Sequence, residues 1–136
     1  MPSVMRIQRD VLSQMLAHVR LEPELESCGL LAGREGITTH IFPVSNVFRS
    51  STLFEMAPED LFRIFRHMRS ENLALTGIYH SHPKTENVPS PADVEQFGYP
   101  QVACVILRPQ CDDRSAVRAF RITGDKFTEL QIEPAA

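Results

Sequence analysis

The sequence predicts a mixed α/β (α+β) domain, a β-sheet with two main flanking helices. Three observations predict it. Apolar residues recur at helical spacing in two segments, around residues 9–20 and after Pro58. Short apolar runs bounded by Gly, Pro and polar clusters supply strands between and after them. A chain of 136 residues fits one domain, residues 1–136, and leaves little room for a second.

Taken in order, residues 4–7 read as a short opening strand. Val11, Leu12, Met15, Leu16 and Val19 then give one apolar helix face. Leu21-Glu22-Pro23 ends that helix, because Pro disfavours helical geometry at the residue before it. Residues 28–32 form an apolar run, Gly33-Arg34-Glu35-Gly36 a turn and residues 37–44 a second strand, so the pair reads as a hairpin. A loop through Asn46 leads to an expected short strand at 52–56. Pro58 opens the second helix with Glu59 and Asp60 in its first turn, where acids suit the helix dipole. Its expected buried stripe is Leu61, Ile64, Phe65 and Met68. Residues 73–80 are an apolar strand, 83–89 a polar loop, and Ser90-Pro91-Ala92-Asp93 a helix start. Residues 102–107, 116–122 and 126–132 read as a final antiparallel meander, with Gly124-Asp125 turning the last pair.

Composition narrows the function. Hydrophobic residues make up 43% and charged residues 23%, a balance that supports a real core without a staple. The net charge is −3 with no basic run or stripe, which argues against a nucleic-acid partner. Met1-Pro2-Ser3-Val4-Met5-Arg6 is not followed by a signal-peptide h-region, and apolar stretches such as 102–107 are too short to span a bilayer, so no membrane association is expected. Cys28, Cys104 and Cys111 form no C-x-x-C pair and read as free thiols of a cytoplasmic protein.

The chemistry concentrates at His80-Ser81-His82-Pro83, where an apolar strand runs into a polar loop. Residues i and i+2 of a strand share a face, so the two imidazoles lie side by side as half of a zinc site. Asp93 is the third candidate ligand. It also has a structural explanation, since Ser90-x-x-Asp93 has the form of a capping box with Pro91 at the first helical position. A capped helix start is a rigid platform for a carboxylate, so the two roles are compatible. Ser90 can accept from a backbone N–H or donate its hydroxyl hydrogen to an oxyanion. Glu22, Glu24 and Glu26 precede the Cys28-Gly29-Leu30-Leu31-Ala32-Gly33 run; spacing does not choose among them, although Glu26 lies closest to the strand.

His-Ser-His-Pro, six residues, Ser, two residues and Asp together resemble the metal-binding signature of the JAMM (MPN-type) metalloprotease family. The residues are His80, Ser81, His82, Pro83, Ser90 and Asp93. Glu26, three residues before Gly29 of Gly29-Leu30-Leu31-Ala32-Gly33, matches the family's glutamate. Gly77-Ile78-Tyr79, Asn46 and Met56-Ala57-Pro58-Glu59 look like the small bacterial members. The resemblance covers nearly the whole chain. It implies the family's fold, similar to that of cytidine deaminases, with one zinc ion held by His80, His82 and Asp93. It further implies Glu26 as general base, Ser90 as a donor to the oxyanion, and Ser81 as structural. The implied substrate is a peptide or isopeptide bond at the C-terminal Gly-Gly of a small ubiquitin-like or β-grasp sulfur-carrier protein, with the tail added as a strand beside residues 47–56. The competing reading is a non-catalytic scaffold module of the same fold; such modules lose the His-x-His or the Asp, which this chain keeps. Deaminase chemistry is excluded because neither H-x-E nor P-C-x-x-C occurs.

The remaining candidates read as structural. Cys28 is expected to be a buried strand thiol. His18, His40 and His67 show no ligand spacing. Arg63, Arg66, His67 and Arg69 make a positive, solvated helix face, and Phe62 and Phe65 are assigned to the core.

Overall fold

A computed structural model describes residues 3–136 of the chain. Strands β1 (Val4–Gln8), β2 (Cys28–Arg34), β3 (Ile37–Val44), β4 (Ala74–Ser81), β5 (Ala103–Leu107), β6 (Val117–Thr123) and β7 (Lys126–Ala135) are joined by helices α1 (Arg9–Val19), α2 (Pro58–Ser70) and α3 (Pro91–Gln96). A single 3-10 turn, Arg114–Ala116, precedes β6. Among the described residues no helix is long and apolar enough to cross a membrane.

The mixed α+β class and both main helices are as the sequence predicts. The sheet, however, closes on itself in the order β1-β3-β2-β4-β5-β6-β7. β1 pairs in parallel with β3 at one end and with β7 at the other. This closure lengthens β7 beyond the expected residue 132, because Glu133, Pro134 and Ala135 align with Arg6, Ile7 and Gln8. The β2–β3 hairpin turns through Glu35 (φ 54°) and Gly36 (φ 78°). Positive φ at both central residues matches the right-handed twist of the flanking strands. The antiparallel meander β5–β6–β7 forms as expected.

The expected strand at 52–56 does not form; only an isolated bridge joins Asn46 and Met56. Side chains take the backbone groups that a ladder would need. Ser50 Oγ accepts the N–H groups of Thr52 and Leu53, and Asn46 Oδ1 accepts those of Phe48 and Glu55. Such local bonds compete directly with sheet pairing.

Strand alternation divides the core. Leu31, Tyr79, Ala103, Val105 and Leu107 face α1, which contributes Val11, Met15 and Val19. Cys28, Leu30 and Ala32 face α2 through Ile64 and Met68. Cys104, Ile106, Phe120 and Ile122 meet Val94 and Phe97 of the α3 region. The expected stripe of α2 needs correction: Phe65 is 39% exposed and Phe62 67% exposed, so neither belongs to the core. Ile64 and Met68, four residues apart, already fill the contact with β2, and Phe65 lies to one side of that line.

The register of β4 is set by a notch. Gly29 of β2 lies opposite Tyr79 of β4, and a Cβ on Gly29 would sit 2.3 Å from the Tyr79 ring. The ring is fully buried, and its hydroxyl meets His18 Nδ1 at 2.6 Å. His80, the next residue, is thereby placed opposite Cys28 on the face shared by α2 and α3. Replacing Gly29 with Ala should overpack this notch and lower stability by about 2 kcal/mol. Urea denaturation measures it; an unchanged midpoint would show that the ring does not depend on the glycine.

Candidate metal centre

β4 is the inner strand that carries the site, antiparallel to β2 and parallel to β5. His80 lies within it, and His82 follows its last residue, held by an N–H bond to the Leu107 carbonyl at 2.9 Å. The two rings are 5.0 Å apart between centroids, and their Nε2 atoms 3.2 Å apart. α3 supplies the third group. Asp93 Oδ1 lies 3.2 Å from His80 Nε2, and Oδ2 lies 3.1 Å from His82 Nε2. The capping box is also present: Ser90 Oγ accepts the Asp93 N–H at 3.1 Å, and Asp93 Oδ2 accepts the Ser90 N–H at 2.9 Å. Asp93 therefore caps its helix and faces both imidazoles at once.

The proton inventory of this cluster fits a cation. His82 Nδ1 lies 2.8 Å from the Glu86 carbonyl, an oxygen that can only accept, so Nδ1 carries the hydrogen. In neutral His82 the lone pair is then on Nε2, aimed at a carboxylate oxygen and at a second ring nitrogen. Acceptors that converge without enough hydrogens between them are satisfied by a metal ion, and two imidazoles with a carboxylate are donors that zinc takes at catalytic sites. All three groups lie within 4.8 Å of one another. The carbonyl on Nδ1 fixes the tautomer and ring plane of His82, as supporting bonds at metal sites do.

Without metal the same groups polarise one another. Burial pulls His80 below its ordinary histidine range against the opposing pull of Asp93. Burial also depresses His82, but Asp93 and the Glu86 carbonyl outweigh it and leave that ring easier to protonate than usual. Burial acts to raise Asp93, yet bonds from both imidazoles and the Ser90 N–H hold it far below the usual carboxylate range.

Glu26 lies in the irregular stretch before β2 and is 7% exposed. Burial pushes its carboxyl up to about 7, with Asp93 adding to the shift and His82 opposing it. Ser81, fully buried, takes no part in the cleft. Its Oγ accepts the Ser27 N–H at 2.9 Å and donates to the Leu25 carbonyl at 3.4 Å, so it tethers the residues on either side of Glu26 to the end of β4. Ser90 accepts its cap bond and has its own hydroxyl hydrogen free of protein partners among the described residues. A cleft of about 210 Å3 is lined by Glu26, His82, Ser90 and Asp93 together with residues 51–54.

The structure thus brings all five sequence candidates to one place. Sequence reasoning missed Phe54, whose ring stacks on His80 at 4.7 Å and 24°, and the Glu86 carbonyl; neither has a signature in spacing. Cys28 is buried, with Sγ donating toward the Val44 carbonyl. His18, His40 and His67 stay outside the cluster, His18 on Tyr79 and the other two beside Phe42.

Comparison with known proteins gives a consistent picture. Residues 8–123 match the family model described as prokaryotic homologs of the JAB domain. The chain is 33% identical over 129 residues to the CysO-cysteine peptidase of Mycobacterium tuberculosis, covering 93% of this chain and 88% of that protein. It is 34% identical over 137 residues to the desampylase of Haloferax volcanii, covering 96% of each. A solution structure of a protein from Desulfitobacterium hafniense superposes with a TM-score of 0.82 at 28% identity, over 97% of this chain and 92% of that one.

The raised carboxyl of Glu26 has a thermodynamic consequence for the protein freed of metal by a chelator. Between its ordinary value of 4.5 and about 7, the folded state keeps a proton that the unfolded state has released. Stability therefore falls as pH rises through that window and levels off above it. Unfolding free energies of wild type minus Glu26→Gln, measured from pH 4.5 to 8, should show this downward slope; a flat difference would contradict a buried, proton-retaining carboxyl.

Proposed function

This chain belongs to the family of prokaryotic JAB-domain homologues, and from that premise we propose a zinc-dependent peptidase whose working residues are His80, His82, Asp93, Glu26 and Ser90. It is a hydrolase of the JAMM type, acting on conjugates of ubiquitin-like or sulfur-carrier proteins. The observation that carries the reading is the convergence of two buried imidazoles and the partly buried Asp93 carboxylate as metal donors, at a cleft that Glu26 also lines.

In this reading the whole chain, residues 1–136, works as one metallopeptidase domain. His80, His82 and Asp93 would hold one zinc ion per chain. Zinc bound there supplies Lewis acidity to the scissile carbonyl and acidifies water, whose pKa it lowers to about 7. Glu26 accepts the proton of the attacking water and returns it to the departing amine, and its burial raises its affinity for the proton it must take. The Ser90 hydroxyl, held in place by its cap bond, donates to the oxygen on which negative charge develops. A buried carboxyl beside the three metal donors favours the catalytic reading over a non-catalytic module.

The cleft suits an extended chain end. Residues 51–54 border it and belong to the segment 47–56, along which a carrier's Gly-Gly tail would lie as an added strand. Among the relatives, one is named a CysO-cysteine peptidase, and another, from Thermus thermophilus, a probable TtuB-protein conjugate cleaving protease. A small carrier protein ending in Gly-Gly, joined to an amino acid, peptide or lysine side chain, is the proposed substrate. The three unpaired thiols suit the cytoplasm as its place of work.

Glu26→Gln should lower kcat by roughly 10²–10⁴-fold while the protein retains the zinc content of wild type. Steady-state cleavage of a carrier fusion and elemental analysis on the same sample measure both; full activity of this variant would sink the assigned base. Ser90→Ala should cost about 10²-fold in kcat. Asn in place of Asp93 should release the metal, read by dialysis against a chromogenic chelator.

A further inference from the structure

The base is the one member of the proposed machinery that lies neither at the end of β4 nor at the start of α3, and β4 reaches it only through its neighbours, by way of Ser81. His80 is in β4, His82 is fastened beside it, and Ser90 and Asp93 open α3. Glu26 sits in irregular chain between α1 and β2. A carboxylate carried on irregular chain needs support from elsewhere to keep a productive aim.

That support comes from the loop that failed to become a strand. The N–H of Glu26 donates to the Ser50 carbonyl at 2.7 Å, and its carbonyl accepts from Asn46 Nδ2 at 3.0 Å. Both main-chain polar groups of the base are thus bonded to residues 46–50. The second hydrogen of Asn46 Nδ2 goes to the Leu53 carbonyl at 3.0 Å. Its Oδ1 accepts the N–H groups of Phe48 and Glu55, each at 3.0 Å. Two donor hydrogens and two lone-pair sites are all engaged, and a flipped amide would lose every bond. The same loop carries Phe54, which stacks on the ligand His80.

We propose that Asn46 is a positioning residue: it locks the loop 46–56 onto the main chain of Glu26 and so aims the carboxylate into the cleft. The proposal rests on the reading of Glu26 as the base. Asn46 touches neither the ligands nor the cleft; it bonds Glu26 directly and reaches the cleft wall only through Leu53 and Glu55, and the Glu26→Gln background separates the two routes.

Asn46→Asp keeps the acceptor oxygen that organises Phe48 and Glu55 but withdraws both donor hydrogens; Asn46→Ala withdraws everything. Each variant is made alone and in the Glu26→Gln background. The readouts are zinc content, kcat and KM on a Gly-Gly carrier fusion, and amide exchange of Glu26 in the zinc-free protein by NMR. The expected result is unchanged zinc, little change in KM, and a kcat loss approaching 10²-fold for both single variants. The Glu26 amide should exchange faster in both, and neither substitution should lower kcat further once Glu26 is Gln. A wild-type kcat and Glu26 exchange rate in Asn46→Asp would overturn the proposal, leaving Asn46 a loop residue only. Equal losses in both backgrounds, or unfolding of both variants at the assay temperature, would overturn it in favour of a role in the fold. Full activity of Glu26→Gln alone shows in that single variant, is separable from these outcomes, and would overturn the base reading and this inference with it.

Discussion

Two imidazole nitrogens and a carboxylate face one another at the end of β4, with separations of 3.1 and 3.2 Å and His80 almost wholly buried. Lone pairs brought this close in a dry setting repel unless a proton or a metal ion sits among them. That constraint governs much of what surrounds it. The Glu86 carbonyl commits the hydrogen of His82 to the far side of the ring. The Ser90 N–H compensates one oxygen of Asp93, and Phe54 covers one face of His80. Since such a site forms only in the folded chain, the free energy of metal binding becomes free energy of folding.

Asp93 shows how closely the proposed ligand set and the fold are joined. α3 has six residues, too few for a stable helix by itself, and it buries no residue fully. Its order depends on the capping box at its start and on Val94 and Phe97 packing against the sheet. The carboxylate that closes the cap is the one that reaches the histidines, so loosening the helix start would loosen the metal centre too. β4 contributes the opposite quality. Paired on both sides and keyed by Tyr79 in the Gly29 notch, it holds its histidines on a rigid base.

What could be read from the sequence follows the range over which each signal acts. The pairing of His80 with His82 and the cap of Ser90 with Asp93 are local, fixed by strand alternation and by helix-start geometry, and both were legible. Glu26 was not separable from Glu22 and Glu24 by local chemistry. Its distinction is burial against a site assembled from residues 80–93, and resemblance to a family supplied what spacing could not. Glu22, by contrast, lies at the surface paired with Arg49. The misplacement of Phe65 has the same origin: helical period identifies an apolar face but not its width, which is set by how much of β2 and β3 it meets. The strand expected at 52–56 failed because β propensity says nothing of Asn46 and Ser50 capturing backbone groups nearby. Closure of the sheet through β1 and β7 is the longest-range feature and had no local mark.

The division between rigid and adjustable parts also bears on catalysis. Groups that hold a metal serve best when they do not move, and the proposed ligands here lie in β4, directly after its end and at a capped helix start. A base that takes a proton from water and returns it to a leaving nitrogen acts on two atoms in different places, so its carboxylate must be aimed without being frozen. As the proposed base, Glu26 would meet this with a main chain bound on three sides, by Ser81 through its neighbours and by Ser50 and Asn46 directly. No hydrogen bond holds its carboxylate among the described residues. Its proton affinity is therefore set by burial and by the charges of Asp93 and His82, and its reach by the loop that walls the cleft. Substrate lying along residues 51–54, as proposed, would contact the same loop that steadies Glu26 from behind, and occupancy of the cleft would then be coupled to the alignment of the proposed base through one segment of chain.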